Sequence, residues 1–140
     1  MSEDWTVWKI EACYSVVVAL KPFENRKSAW IVETPAYLSS VKNFWDDETQ
    51  DEFKNYIAEN FLSGDIIPNT GGLRKIRWQS SGRGKRGGAR VIYYFYSENF
   101  PIYLLFAYQK NEKTDLTEYE KSLLRDYVKK LKNYFRSKEW

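Results

Sequence analysis

The chain of 140 residues contains no histidine and a single cysteine, Cys13. One thiol cannot form an internal disulfide, and nothing else suggests an oxidising compartment, so we expect a cytoplasmic location. The common zinc sites require several cysteine or histidine ligands, so those sites are excluded. A nuclease mechanism based on a pair of histidines is excluded as well, and any acid–base chemistry must use other side chains.

Long apolar segments are also missing from the sequence. The longest apolar run near the start, residues 13–20, has eight residues, whereas a membrane-spanning helix needs about 20. The segment before this run carries three acidic residues and lacks the basic start and the cleavage site of a signal peptide. We therefore expect neither a membrane anchor nor a secretion signal.

Apolar residues make up 43% of the chain and aromatic residues 18%. A chain of this size and composition can bury enough apolar surface to form one core, which argues against global disorder. The aromatic side chains are expected mainly in that core. A second interpretation is that some of the rings stack on nucleic-acid bases.

Positive charge is concentrated in residues 67–96, here called the basic strip. The strip contains no aspartate or glutamate and seven of the 22 basic residues, so the rest of the chain has 15 basic against 19 acidic residues. A mildly acidic protein with one basic segment is typical of a localised polyanion site. The seven basic residues are Arg74, Lys75, Arg77, Arg83, Lys85, Arg86 and Arg90.

The pattern of apolar residues predicts two N-terminal helices, then an antiparallel meander of three strands, then a C-terminal helix. A short β-favouring run, residues 30–32, precedes a helix over 36–45 and a second helix that begins after Asp47 and ends near Gly64. Three strands joined by short loops are predicted at 73–79, 89–96 and 102–108. Thr117 and Glu120 form a capping box that begins the last helix.

Strand alternation places candidate functional residues together. In the first of the three strands, Ile76 and Trp78 share one face, which we expect to be the core face, and Lys75 and Arg77 share the other, open face. Arg90 begins the next strand. Lys110 and Asn111 follow the third strand, so a shallow sheet would gather these polar side chains in one concave area.

Such a cluster of cations can bind phosphate and, in RNA, can assist attack by the 2′-hydroxyl on its own phosphodiester. Arginine suits stabilisation of the phosphorane charge, because it is planar and always ionised. A lysine among other cations gives up its proton more easily and can join proton transfer, because like charges disfavour its protonated form. Tyr108 is a candidate acid or a stacking platform. The glycine-rich loop at 82–88 does not have the order of residues of a P-loop.

Several motifs, taken in order along the chain, resemble the HigB-type toxins of the RelE superfamily. The resemblance covers about residues 28–136 and rests on the segments GGLRKIR (71–77), GRGKRGGARVIYY (82–94), YLL (103–105), YQKNE (108–112) and DLT (115–117). It implies the RelE-like fold, an α+β domain in which two N-terminal helices pack on a small antiparallel sheet and are followed by a C-terminal helix. The resemblance implies, in addition, cleavage of messenger RNA in the ribosomal A site, through 2′-hydroxyl attack and without a metal or another cofactor. It also implies a cognate antitoxin with a helix-turn-helix domain as the inhibiting partner.

Residue by residue, the resemblance assigns catalytic roles to five positions, namely Lys75, Arg77, Arg90, Lys110 and Asn111. Arg74, Arg83, Lys85, Arg86 and Tyr108 are the expected RNA-binding residues. Some relatives have an arginine where Asn111 stands, so the assignment of the acid and of the base stays open.

Residues 1–27 have no counterpart in this pattern, and we interpret them as an N-terminal extension to a toxin domain at 28–140. The extension contains Val16, Val17 and Val18, and two arrangements are open for it. It could dock as an extra strand on a sheet edge, which we favour, or it could be a mobile tail tethered through residues 22–27.

Two other function classes remain open on the sequence alone. One is an RNA-binding or partner-binding module that keeps the fold without the reaction. The other is a DNA-binding regulator, which is disfavoured because no predicted recognition helix carries the basic residues.

Neutralising Lys85 and Arg86 together tests whether the basic strip is a nucleic-acid surface. Each phosphate contact to a single strand contributes about −0.7 to the slope of log K against log salt, so the double alanine variant should bind RNA with a flatter slope. The measurement is a salt titration of RNA binding by fluorescence anisotropy. A slope near zero in the parent protein would show that the strip does not bind nucleic acid.

Overall fold

A computed structural model describes residues 30–79, 88–110 and 115–138. These ranges contain five strands and three helices, with β1 at Ile31–Glu33, α1 at Pro35–Val41, α2 at Asp47–Glu59, β2 at Asp65–Ile66, β3 at Arg74–Trp78, β4 at Ala89–Tyr94, β5 at Ile102–Gln109 and α3 at Glu118–Lys138. The predicted α+β class with a C-terminal helix is confirmed. The predicted extension at 1–27 lies outside the described residues. None of the described helices is long and apolar enough to cross a membrane.

The five strands form one mixed sheet in the order β1-β5-β4-β3-β2. The three central strands, β5, β4 and β3, are antiparallel to one another, as predicted, but β1 pairs parallel with β5, with Ile31 opposite Ile102. The expectation of an entirely antiparallel sheet is therefore wrong at this edge. A run of three β-favouring residues does not reveal which free strand edge it will join, and pairing with β5 buries both Ile31 and Val32.

The connection from β1 to α1 is held by one threonine. Thr34 Oγ1 accepts a hydrogen bond from the Tyr37 N–H and donates one to the Leu104 carbonyl of β5, at 3.2 and 2.9 Å. Pro35 occupies the first turn, where the missing N–H costs nothing. α1 ends at Val41, so the predicted extension of this helix to Trp45 is wrong.

The capping residues define where α2 begins and ends and where α3 begins. Asp46, one residue earlier than predicted, caps α2 by accepting a hydrogen bond from the Thr49 N–H. α2 ends at Glu59 with Asn60 as its C-cap, so Gly64 is not the cap. The predicted capping box of α3 is confirmed: the Thr117 N–H donates to Glu120 Oε1, and the Glu120 N–H donates to Thr117 Oγ1.

Both faces of the sheet are covered by helices. On one face, α1 and α2 pack against apolar side chains of β3, β4 and β5, among them Ile76, Val91 and Ala107. On the other face, α3 packs against Leu73, Ile92 and Phe106. The expectation that Lys75 and Arg77 lie on an open face is therefore corrected. α3 buries the part of this face that carries Leu73, Ile92 and Phe106, and only the part around Arg77 is exposed.

Gly64 follows α2 and is required by a close contact rather than by a helix cap. Its N–H donates a hydrogen bond to Tyr93 Oη at 2.9 Å, and the same hydroxyl donates to the Phe61 carbonyl at 3.0 Å. A Cβ at position 64 would lie 2.6 Å from Tyr93 Oη. Tyr93 itself is fully buried, so its ring cannot move aside without disturbing the core.

Replacing Gly64 by alanine should destabilise the protein by about 1–3 kcal/mol, because the added methyl group overpacks a rigid site. Denaturant unfolding followed by circular dichroism measures the change. Leu62→Ala is the control: its side chain is 58% exposed, so the cost should stay below about 0.5 kcal/mol. Equal unfolding midpoints for Gly64→Ala and the parent would contradict the proposed contact.

Candidate nucleic-acid interface

Three of the predicted site residues form one row across the three central strands, near one end of the sheet. Arg77 of β3 lies directly opposite Arg90 of β4, and Arg90 lies directly opposite Tyr108 of β5. Residues that are directly opposite each other in a ladder project from the same face of the sheet. The structure thus brings Arg77, Arg90 and Tyr108 together, and we call these three residues the cation row.

The position of Arg77 directly opposite Arg90 is one that strand pairing by itself disfavours. Like charges directly opposite each other in neighbouring strands are destabilising. Arg77 is exposed and Arg90 is half-buried, so water screens the repulsion only in part. Violations of a local rule of this kind are concentrated at functional sites.

Lys75 lies on the same face as Arg77, two residues earlier in β3, and forms an ion pair with Asp115. The distance from Lys75 Nζ to Asp115 Oδ1 is 3.4 Å, and both side chains are partly exposed. The partner that the structure gives Lys75 is therefore a carboxylate rather than another cation. Exposed pairs of this kind stabilise a fold by less than about 1 kcal/mol, so a phosphate can compete for the ammonium group.

Asp115 is held in its ionised form by its surroundings. Burial by itself would raise the pKa of Asp115, but the hydrogen bond from the Leu116 N–H and the ammonium group of Lys75 outweigh it, so that the pKa lies below its usual value. Asp115 therefore stays charged throughout the neutral pH range. The stability that it contributes is lost only as the pH falls through this lowered pKa.

Tyr108 completes the cation row with a phenol instead of a charge. Its side chain is 4% exposed and its ring lies beside that of Phe106, so the ring is not available as a stacking platform in this conformation. Burial first, and the carboxylate of Asp115 second, raise the pKa of Tyr108 to about 12, while Arg90 acts in the opposite direction. The phenol is thus protonated at neutral pH and can donate a hydrogen bond, but it is a poor base.

The hydroxyl of Tyr108 is buried and has no hydrogen-bond partner among the described residues. A buried polar group without a partner costs free energy, and native structures contain few of them. An acceptor brought by a ligand, such as a phosphate oxygen, would remove this cost if it reached the hydroxyl beside Arg90.

Lys110 lies immediately after β5, two residues beyond Tyr108. Its N–H donates to the Gly88 carbonyl at 3.3 Å, which extends the β4–β5 ladder by one rung beyond Ala89 and Gln109. Lys110 is exposed at the same end of the sheet as the cation row. Its predicted place near Arg90 is consistent with this register.

Arg74 is not part of this group. It lies on the opposite face of β3 from Lys75, and its guanidinium donates to the carbonyls of Leu62 and Gly64 at 3.1 and 2.8 Å. These bonds hold the turn that follows α2. The structure therefore separates Arg74 from the cation row, and the alternation along β3 was already enough to predict this separation.

Four predicted site residues, Asn111, Arg83, Lys85 and Arg86, lie outside the described residues. Within 30–79, 88–110 and 115–138, no three acidic or cysteine side chains are close enough together to hold a metal ion. The residues that sequence reasoning missed are Asp115, as the partner of Lys75, and the buried carboxylate of Glu120, which also acts on the pKa of Tyr108. Their contacts join residues far apart in the chain, and no local motif reports such contacts.

The arrangement can bind a phosphodiester at its non-bridging oxygens. Two guanidinium groups supply paired donors with fixed charge, and the phenol supplies a neutral donor beside them. Lys75 and Lys110 extend the positive charge along the same end of the sheet. The site is thus suited to stabilising a phosphate that gains negative charge.

The chain was compared with models of protein families. The model described as the RelE toxin of the RelE/RelB toxin–antitoxin system matches residues 47–138. The match spans 92 of the 140 residues, from the start of α2 to the end of α3, and includes the cation row, Lys75 and Lys110. β1 and α1 lie outside it.

Two tyrosine-to-phenylalanine variants test the state of the Tyr108 hydroxyl. Tyr108→Phe removes a hydroxyl without a partner among the described residues, so the free energy of unfolding should stay within about 0.5 kcal/mol of the parent or rise. Tyr93→Phe removes a hydroxyl with two backbone partners and should cost about 1–3 kcal/mol. Urea unfolding of both variants provides the comparison, and a larger loss for Tyr108→Phe than for Tyr93→Phe would contradict this assignment.

Proposed function

The chain belongs to the RelE toxin family, and we propose that it is a ribosome-dependent endoribonuclease that cleaves messenger RNA and so inhibits translation. Members of this family act in toxin–antitoxin systems and are generally endoribonucleases. The observation that carries the proposal is the cation row, because Arg77 and Arg90 lie opposite each other beside the protonated phenol of Tyr108. Two guanidinium groups and a neutral donor on one face support the binding of an RNA phosphodiester under attack.

The proposed reaction needs no covalent intermediate with the protein. The 2′-oxygen of a ribose attacks the adjacent phosphorus, its proton passes to a base, and the bond from phosphorus to the 5′-oxygen breaks as that oxygen receives a proton. The products are a 2′,3′-cyclic phosphate and a free 5′-hydroxyl. The charge that must be stabilised is the one on the non-bridging oxygens of the phosphorane.

Arg77 and Arg90 are proposed to stabilise that phosphorane. Guanidinium groups act as paired donors toward two oxygens, and their strength increases when the RNA excludes water from the half-buried Arg90. Tyr108 is proposed to donate a hydrogen bond to the same phosphate, since its pKa of about 12 keeps the phenol protonated. It would then also be a source of the proton for the leaving 5′-oxygen.

Lys75, Lys110 and Asn111 are the remaining catalytic candidates. Lys75 is proposed as an electrostatic contact that exchanges Asp115 for phosphate when RNA binds. Lys110 lies at the end of β5 and is the candidate for proton transfer at the 2′-oxygen. Arg83, Lys85 and Arg86 are proposed to bind the RNA backbone beyond the reacting phosphate, whereas the position of Arg74 favours a structural role.

The family implies an antitoxin partner. We propose the HigB type within the RelE superfamily, because the motifs of the basic strip and the YQKNE and DLT segments resemble that type. The partner would then be a helix-turn-helix antitoxin, and the RNA substrate would lie in the ribosomal A site. A substrate that is being translated implies a cytoplasmic location.

Replacing both Arg77 and Arg90 by alanine should abolish message cleavage and leave the fold intact, because Arg77 is exposed and Arg90 lies at the end of its strand. The assay maps the 5′ ends of a message in a purified translation reaction. Arg74→Gln is the matched control: it also removes one charge from β3, but on the opposite face, and should keep cleavage within a few-fold of the parent.

Circular dichroism melting of all variants shows whether the folds are comparable. Unchanged cleavage by a folded Arg77→Ala/Arg90→Ala variant would show that the cation row is not the active site. A parent protein that binds RNA or ribosomes but never cuts the message would favour the alternative, a non-catalytic RNA-binding module of the same fold.

A further inference from the structure

A cavity of about 380 Å³ lies on the face of the sheet opposite to the cation row. It is bounded by the segment between α1 and α2 and by the ends of β3, β4 and β5. Aromatic rings and side-chain amides line it, notably Phe44, Trp45 and Trp78 together with Asn43, Gln79 and Gln109. Its volume is in the range of small-ligand sites.

The aromatic wall of the cavity is held in place by its own packing. Trp78 contacts Phe53 edge-on and Tyr56 in a tilted arrangement, with ring centroids 5.6 and 4.9 Å apart. Trp45 contacts Phe53 at 5.7 Å and Phe44 at 5.5 Å. Because these rings are fixed by neighbours in the core, the cavity offers a flat apolar surface that is formed before any ligand arrives.

The cavity and the cation row occupy the same end of the sheet. Trp78, Ala89 and Gln109 lie opposite one another in the ladder. Each of them is adjacent in sequence to one member of the cation row. Successive residues of a strand project from opposite faces. The cavity and the cation row therefore lie back to back at this end of the sheet, one on each face.

The charges around the cavity select a neutral group rather than a phosphate. Asp46 contributes a carboxylate to the wall and already caps the N-terminus of α2, so this helix end does not attract an anion. Asn43, Gln79 and Gln109 carry amides, which offer both donors and acceptors to the edge of a base. Lys42, exposed at the rim, supplies a cation for a flanking phosphate.

We propose that this cavity binds a nucleobase of the same single-stranded RNA whose phosphate lies on the cation row. The inference rests on the proposed function and adds to it a base-binding subsite on the other face of the sheet. The base stacks on the indole wall and its polar edge is bound by Asn43 and Gln109. Trp78 Nε1–H, which is buried and has no hydrogen-bond partner among the described residues, lies in the same wall.

The first test uses the full-length, ¹⁵N-labelled protein and the indole N–H resonance of Trp78, identified by its loss in Trp78→Phe. The RNA probe is a short single strand with a 2′-O-methyl group on every ribose, so that it cannot be cleaved. Tripolyphosphate, which has charge but no base, is the second probe. RNA should shift the Trp78 resonance, and tripolyphosphate should not, although it should shift resonances of Arg77 and Arg90.

The second test is a binding cycle by fluorescence anisotropy. An RNA of the same length without bases should bind the parent at least about tenfold more weakly, because base stacking is lost. Asn43→Ala/Gln109→Ala should lower affinity for the complete RNA by about fivefold and leave affinity for the abasic RNA unchanged. Asn133→Ala, an exposed amide on α3, is the control and should change neither affinity.

The outcomes separate the two proposals. If both RNAs bind in a salt-dependent manner that is lost in Arg77→Ala/Arg90→Ala, but the Trp78 resonance does not move, the cavity is not a base site and the proposed function stands. Equal losses of affinity for complete and abasic RNA in Asn43→Ala/Gln109→Ala would also overturn the base site. If no RNA binds at the cation row, the proposed function fails and the inference fails with it.

Discussion

The pairing of β4 with both of its neighbours is the interaction on which the rest of the structure depends. It places Arg77, Arg90 and Tyr108 in line, although these residues are separated by long stretches of sequence. The same pairing places Ile76, Val91 and Ala107 in line on the other face, where they form part of the core under α1 and α2. One register thus determines both a core layer and the candidate site, and a shift by one residue would exchange the two faces.

Burial of both faces explains how the sheet tolerates two arginines opposite each other. β5 is buried along nearly its whole length, and α3 covers the apolar rungs of the face that carries the site. The free energy of this packing exceeds by far the cost of one repulsive cross-strand pair, which is less than about 1 kcal/mol. The core can therefore hold Arg90 and the hydroxyl of Tyr108, which has no partner in the described part of the chain, in an arrangement that local preferences disfavour.

The start of α3 links the C-terminal helix to the site. Leu116 is buried in the core, and the capping box of Thr117 and Glu120 begins the helix directly after it. Asp115 is thereby held beside Lys75, where it provides the partner of one cation and influences the phenol of Tyr108. The structural role of α3 and the electrostatics of the candidate site are parts of the same arrangement.

The sequence by itself determined the class of the fold, the three central strands, the capping box of α3 and the grouping of Lys75 with Arg77, because these follow from local periodicity and from capping chemistry between near neighbours. Tertiary structure alone decided the parallel pairing of β1, the burial of Tyr108, the ion pair of Lys75 with Asp115 and the aromatic cavity. Each of these joins segments that are distant in the chain, and strand alternation reports which residues share a face but not which helix covers that face. The separation of Arg74 from the cation row was determined in part by each. Strand alternation indicated that Arg74 lies on the opposite face from Lys75, and only the tertiary structure showed that its guanidinium binds carbonyls of the turn after α2.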